Sequence, residues 1–163
     1  MNMASTWGIY VELFDLHDEN SDSIWDGSID DLSNLNESDI EKIFGDNTYL
    51  GIEIYGNGIN YQGKINIYKF ETLTSFSDEE IYRLLAVLYC SVCDINDLIE
   101  KIKNGEIEFY SMELRELVEH LVEERLIPYE MLMNFIDWNK LEEAFEIDGY
   151  RETPWGVVSF TGN

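Results

Sequence analysis

Apolar residues are spaced in two ways along this chain. In the first third they come in short blocks rich in β-branched and aromatic side chains, broken by polar turns, and from Ile81 onward they recur at helical intervals. WGIYVELFDL (7–16) predicts a strand, HDENSDS (17–23) a polar connection, and SDIEKIF (38–44) a short helix. YLGIEIYGNGINYQGKINIYKF (49–70) predicts a hairpin turning at Asn57-Gly58, because both residues tolerate the positive φ of a type I′ turn. A small antiparallel sheet with one helix is expected there. Ser77 followed by Glu80 forms a capping box, and Ile81, Leu84, Leu85, Leu88 and Val92 then fall on one helical stripe that Ala86 and Val87 broaden. That breadth marks the most buried helix.

Asp94 is placed to cap a second helix, 94–105, with Lys101 and Lys103 near its C-terminal end and Gly105 as its stop. IEFY (107–110) predicts a strand, and Ser111 is expected to cap the helix MELRELVEHLVEERL (112–126). Leu114, Leu117, Val118, Leu121 and Val122 form its apolar stripe, while Glu113, Glu116, Glu119, Glu123 and Glu124 fill the remaining arc. Pro128 suits the first position of another helix, Asp137 the cap of a short one from Trp138 to a stop at Gly149, and GVVSF (156–160) a last strand. The expected fold is α+β, three small domains in series: 1–72, β-rich with one helix; 73–105, helical; and 106–163, α/β with the acidic helix.

Charge changes the picture more than any motif does. The chain has 163 residues, with 34 Asp and Glu against 10 Lys and Arg, a formal net charge of −24 and a pI near 4.1. Such repulsion opposes compaction, yet 45% of residues are hydrophobic and 13% aromatic, far from the composition of a disordered acidic chain. A folded domain is expected. No apolar run nears the roughly 20 residues that span a bilayer, and the N-terminus lacks the basic flank of a signal peptide, so a cytosolic protein with no membrane partner is expected. Cys90 and Cys93, in a CSVC segment, are too few for a disulfide framework and lack a second pair for zinc; free buried thiols are expected.

Candidate chemistry is thin. Carboxylate pairs such as Glu142 and Glu143, Glu123 and Glu124, Asp30 and Asp31, or Glu79 and Glu80 are ordinary in a chain with 34 acids, whereas glycosidase chemistry needs two carboxyls in different environments at a set separation. His17 and His120 sit in no nucleophile motif, and YGNGINYQG (55–63) lacks the lysine and helix of a phosphate loop. DENSDSIWDGSI (18–29) puts Asp18, Asn20, Asp22 and Asp26 at calcium-loop positions, but Ser23 replaces the turn glycine and Ile29 the bidentate glutamate, so an acidic surface turn is expected. Neither an enzyme nor a metal nor a cofactor is expected.

Direct nucleic-acid binding is disfavoured, since it rests on Lys and Arg contacts to phosphate. The same physics favours a partner that itself binds DNA. Duplex DNA carries one charge per about 1.7 Å, so a charge of −24 matches roughly 40 Å of duplex. Five glutamates between 113 and 124 span about 17 Å of helix, close to the linear charge density of one DNA strand.

The segment 126–160, LIPYEMLMNFIDWNKLEEAFEIDGYRETPWGVVSF, resembles the C-terminal portion of the antirestriction proteins of the ArdA family: a Pro, an aromatic-Ile-Asp-aromatic element (FIDW, 135–138), a short helix, an EIDGY-like stop and a Gly-containing last strand. DINDLIEKI, INIYKFET and, more loosely, WGIYVELFDL with IWDGSID are similar to the family's middle and opening. The polar stretch 17–23, the Gly-rich hairpin 56–63 and Lys140 depart from it.

The resemblance implies an elongated, three-domain homodimer in a bacterial cytoplasm. It implies an inhibitor that mimics bent B-form DNA and fills the DNA groove of type I restriction-modification enzymes at their methyltransferase and specificity subunits. Glu113, Glu116, Glu119, Glu123, Glu124, Asp137, Glu142, Glu143, Glu146 and Asp148 would then stand in for phosphates. Phe135, Ile136, Trp138, Val157 and Val158 would form scaffold or dimer interface, with GVVSF either pairing across a two-fold axis or covered within the monomer. The alternatives are a mimic aimed at another defence machine, such as a CRISPR effector, and an acidic module for basic partners.

Overall fold

A computed structural model of the chain describes residues 6–18, 22–124 and 137–160. The fold is mixed α+β, and its contacts divide it into two compact units, Ser5–Glu106 and Ile107–Asn163.

In the first unit, strands β1 (Tyr10–Phe14), β2 (Trp25–Ser28), β3 (Tyr49–Gly56) and β4 (Ile59–Asn66) form an antiparallel sheet in the order β2-β1-β3-β4. Alternation sets its two faces. Val11, Leu13, Leu50, Ile52, Ile54, Ile59 and Ile65 are buried on one face, while Glu12, Glu53, Asn60, Gln62 and Lys64 lie on the other. A 3₁₀ turn (Ile29–Asn34) and helices α1 (Glu37–Phe44), α2 (Ile67–Thr74), α3 (Asp78–Cys90) and α4 (Ile95–Lys103) complete the unit, with α2, α3 and α4 packed on β4. Phe44 and Phe70 meet in the core with ring centroids 5.5 Å apart.

Local signals are met where they act over a few residues. Asn57 (φ 51°) and Gly58 (φ 89°) make the hairpin turn, Ser77 and Glu80 close their capping box, and the Asp94 side chain accepts from the Asn96 N–H. The stripe of α3 is buried at Ile81, Leu84, Leu85 and Leu88 but not at Val92, which is wholly exposed because the helix ends at Cys90. The strand expected to reach residue 70 stops at Asn66. Asn66 Oδ1 takes the Tyr68 N–H (2.8 Å) and starts α2, so the sheet of this unit carries more than one helix. Residues 25–28, read as part of an acidic turn, pair with β1 as β2. The segment 73–105, set apart as a central domain, lies in the same compact unit as the sheet. Neither cysteine is in a disulfide, both are half-buried rather than buried, and burial pushes the Cys93 thiol upward.

The second unit holds β5 (Phe109–Tyr110), α5 (Leu114–Glu124), α6 (Trp138–Ile147), β6 (Tyr150–Thr153) and β7 (Gly156–Ser159), with strand order β5-β7-β6. Leu114, Leu117, Val118 and Val157 form its core cluster, and Trp138, Leu141 and Phe145 of α6 pack against it. Asp137 caps α6, its side chain accepting from the Lys140 N–H, and Gly149 follows at φ 107°. Helix α5 starts at Leu114, later than a Ser111 cap requires. The Leu114 N–H is bound instead by the Glu152 carboxylate from β6 (2.6 Å), an anion at a helix N-terminus. Pro128 lies outside the described residues.

Candidate functional site

The candidate surface on the second unit is the outer arc of α5. Glu116, Glu119 and Glu123 follow one another at i, i+3 and i+7 opposite the buried Leu114, Leu117 and Val118, so their axial spacings are about 4.5 and 6 Å. Glu116 and Glu123 are exposed and Glu119 is half-buried. Glu113 and Glu124 are exposed on the flank, where His120 Nε2 approaches Glu124 at 3.1 Å.

Helix α6 divides its acids. Glu143, Glu146 and Asp148 are exposed, and Asp137 is exposed while serving as cap. Glu142 is partly buried and tied to Arg115, whose guanidinium also bonds Asn139 Oδ1 (2.9 Å) and stands 5.8 Å from the Trp138 ring centroid. That carboxylate holds α5 to α6 and is occupied by an arginine, as Glu124 is approached by His120. Trp138 is half-buried beneath Arg115. Val157 and Val158 are buried in β7, which has a strand on each side, so they belong to the scaffold of the monomer and GVVSF has no free edge for two-fold pairing. Phe135 and Ile136 lie outside the described residues.

The first unit carries an arrangement that the sequence does not announce. Glu12 of β1 stands directly opposite Asp26 of β2 on one side and Glu53 of β3 on the other, and Glu53 stands opposite Gln62 of β4. Three carboxylates therefore form a row across the open face of the sheet, at the strand spacing of about 4.8 Å. Like charges directly opposite each other destabilise a sheet. Two neighbours position them: the Tyr55 hydroxyl donates to Glu12 Oε1 (2.8 Å) and Gln62 Nε2 donates to Glu53 Oε1 (3.2 Å). Asp26, one of the calcium-loop positions, is thereby placed in a strand; Asn20 lies outside the described residues, and no His, Cys, Asp and Glu group among the described residues is arranged to hold a metal.

The field of the row is felt at Tyr55. The hydrogen bond to Glu12 raises its phenol above the ordinary value of 10.0, and desolvation and the charges of Glu12, Asp26 and Glu53 add to it. A raised folded value means that the stability this bond contributes is held below about pH 10 and lost as the pH rises through the raised value. In a ¹³C-tyrosine NMR titration, Tyr55 is expected to ionise above its ordinary value and to move back toward it in Glu12→Gln. An unmoved Tyr55 in that variant would show that the row exerts no field there.

Comparison with models of protein families, with curated proteins and with solved structures finds no match to this chain. The antirestriction resemblance therefore stands on the quoted segments alone.

Proposed function

We propose that this protein is an acidic decoy that occupies the DNA-binding groove of a DNA-cleaving defence enzyme, with type I restriction-modification enzymes as the target class that the resemblance implies. The observation that carries the reading is the Asp26–Glu12–Glu53 row, three like charges held side by side on an open sheet face against the electrostatic cost of keeping them there. A surface shaped only for solubility gains nothing from that register. The α5 ridge supports the same reading with a second array of exposed acids at near-phosphate spacing.

The mechanism is stoichiometric and competitive. Lysine and arginine side chains lining the target's DNA channel pair with carboxylates that strands and helices hold in place before the encounter, so less side-chain entropy is lost than with free acids. Tyr55 and Gln62 act as positioning residues for Glu12 and Glu53. Salt weakens the complex by screening, as it weakens DNA binding itself.

The test is a titration of the protein into DNA cleavage by a purified type I restriction enzyme at two salt concentrations. Near-stoichiometric inhibition is expected, relieved by excess DNA and weaker at the higher salt. Undiminished cleavage in the presence of folded protein would remove this target class, and inhibition that excess DNA does not relieve would remove the decoy mechanism.

A further inference from the structure

Strand β4 is an edge of its sheet along its whole eight-residue length, and among the described residues no strand lies against its outer side. Long open edges are uncommon because their unpaired main-chain groups invite another strand. The other edge strands, β2, β5 and β6, run for only four, two and four residues.

The direction of the main chain is fixed at one end of β4. The Ile67 N–H reaches inward to the Thr48 carbonyl (2.9 Å), so the groups of Asn66, and by strand alternation those of Lys64, Gln62 and Asn60, point outward. Asn96, at the start of α4, fills the first of these positions: its Oδ1 accepts the Asn66 N–H (2.9 Å) and its Nδ2 donates to the Lys64 carbonyl (3.0 Å). A side-chain amide that links the carbonyl of one residue to the N–H two residues on reproduces the bonds of one residue of a parallel strand. The Lys64 N–H, both main-chain groups of Gln62 and the Asn60 carbonyl continue that pattern beyond its reach.

Two open clefts follow the same edge, both lined by Tyr61 and Gln62. One, of ≈770 Å³, extends past Lys64 to Tyr68, and the other, of ≈530 Å³, extends past Asn60 to Tyr89 and Val92. Tyr68, Tyr89 and Val92 are all exposed, at 69%, 42% and 100%, and supply apolar surface for alternate side chains of an added strand.

Charge selects the occupant. Ser5–Glu106 contains 21 acids and 6 basic residues, and around the edge Glu53, Asp94, Asp97 and Glu100 outnumber Lys64 and Lys69. A second copy of this chain would bring the same negative charge to the contact, whereas a lysine- or arginine-bearing segment is attracted to it. We propose that the β4 edge receives an extended basic segment of a partner protein as an added strand, parallel to β4 in the register that Asn96 marks. This inference is independent of competition with DNA.

Hydrogen exchange of the full chain by NMR, with and without a hexapeptide of alternating valine and lysine, tests it. The Gln62 and Lys64 amides are expected to slow about tenfold or more on adding the peptide, while Asn66, already bonded, changes little. Gln62→Pro removes an outward N–H without touching the β3–β4 ladder and is expected to abolish that protection. A peptide N-methylated along its backbone is expected to give none, which decides the matter even if the proline variant does not fold. Equal protection from the methylated peptide, or none from either, would overturn the added strand. Protection that grows with protein concentration alone would assign the edge to a second copy and overturn the basic partner.

Discussion

Trp155→Ala is expected to unfold the C-terminal unit while leaving the N-terminal sheet intact. Trp155 is the largest fully buried side chain among the described residues and sits in the turn between β6 and β7. The turn is built around it. Thr153 Oγ1 donates to the Gly156 carbonyl (2.7 Å) and accepts from the Trp155 and Gly156 N–H groups, both at 3.2 Å. Gly156 holds φ 147°, and a Cβ there would lie 2.5 Å from the Tyr110 carbonyl oxygen, so the backbone has no room to close over a void. Truncating a buried tryptophan costs about 3–5 kcal/mol, with the upper part of the range applying where the site cannot collapse. Among the described residues the unit has little to set against that, because its core cluster holds four buried residues and α6 contains none. Small domains hold only a narrow margin. Hydrogen exchange checks the outcome: amides of β7 and α5 should lose protection while those of β3 retain it, and protection retained in β7 would show that the core does not depend on Trp155.

What was legible in the sequence had a cause within a few residues. The turn at Asn57-Gly58, the box at Ser77 and Glu80, the caps at Asp94 and Asp137 and the stop at Gly149 each need only a side chain and the backbone beside it. Helix α2 was missed because IYKF reads as strand continuation, and the deciding signal is Asn66, whose cap is equally at home in a loop. The start of α5 was misplaced because its N-terminal anion comes from Glu152, 38 residues away. The acidic row is the extreme case. Glu12 and Glu53 each stand between inward-facing apolar residues, Val11 and Leu13 or Ile52 and Ile54, which marks them as outward-facing on a strand. Nothing local says that they face each other, since register between strands is a property of the folded sheet.

Four of the ten Lys and Arg residues pair with acids within the units. Lys103 ties α4 to Glu80 of α3, Lys69 ties α2 to Glu100 of α4, Arg83 pairs with Glu79 along α3, and Arg115 ties α5 to Glu142 of α6. Glu80 shows the consequence: although partial burial acts upward, the Ser77 N–H and the Lys103 charge hold its carboxyl below the usual range. Among the described residues the row is held by two neutral donors, a tyrosine hydroxyl and a glutamine amide. Neutral donors orient a carboxylate without cancelling its charge, and this distribution suits a surface that meets cations from outside.

Neutralising the row, by Glu12→Gln, Asp26→Asn and Glu53→Gln together, is therefore expected to move stability and inhibition in opposite directions. Removing two cross-strand like-charge contacts should raise folding stability by about 1 kcal/mol, and Gln at position 12 keeps an acceptor for Tyr55. Three screened contacts to a target's basic side chains are together worth about 1–2 kcal/mol, so inhibition should weaken roughly tenfold. Urea melts and the DNA-cleavage titration read the two effects separately. The control is a second triple variant, Glu41→Gln, Asp46→Asn and Glu106→Gln, which removes the same charge from exposed positions outside the row. It should leave inhibition within about twofold of the unaltered protein. Equal weakening by both variants would mean that the target reads net charge and not position, and would remove the argument that the register of the sheet is shaped for binding. A row variant that is less stable and still fully inhibitory would reverse both signs, and the carboxylates would then be structural members of the sheet.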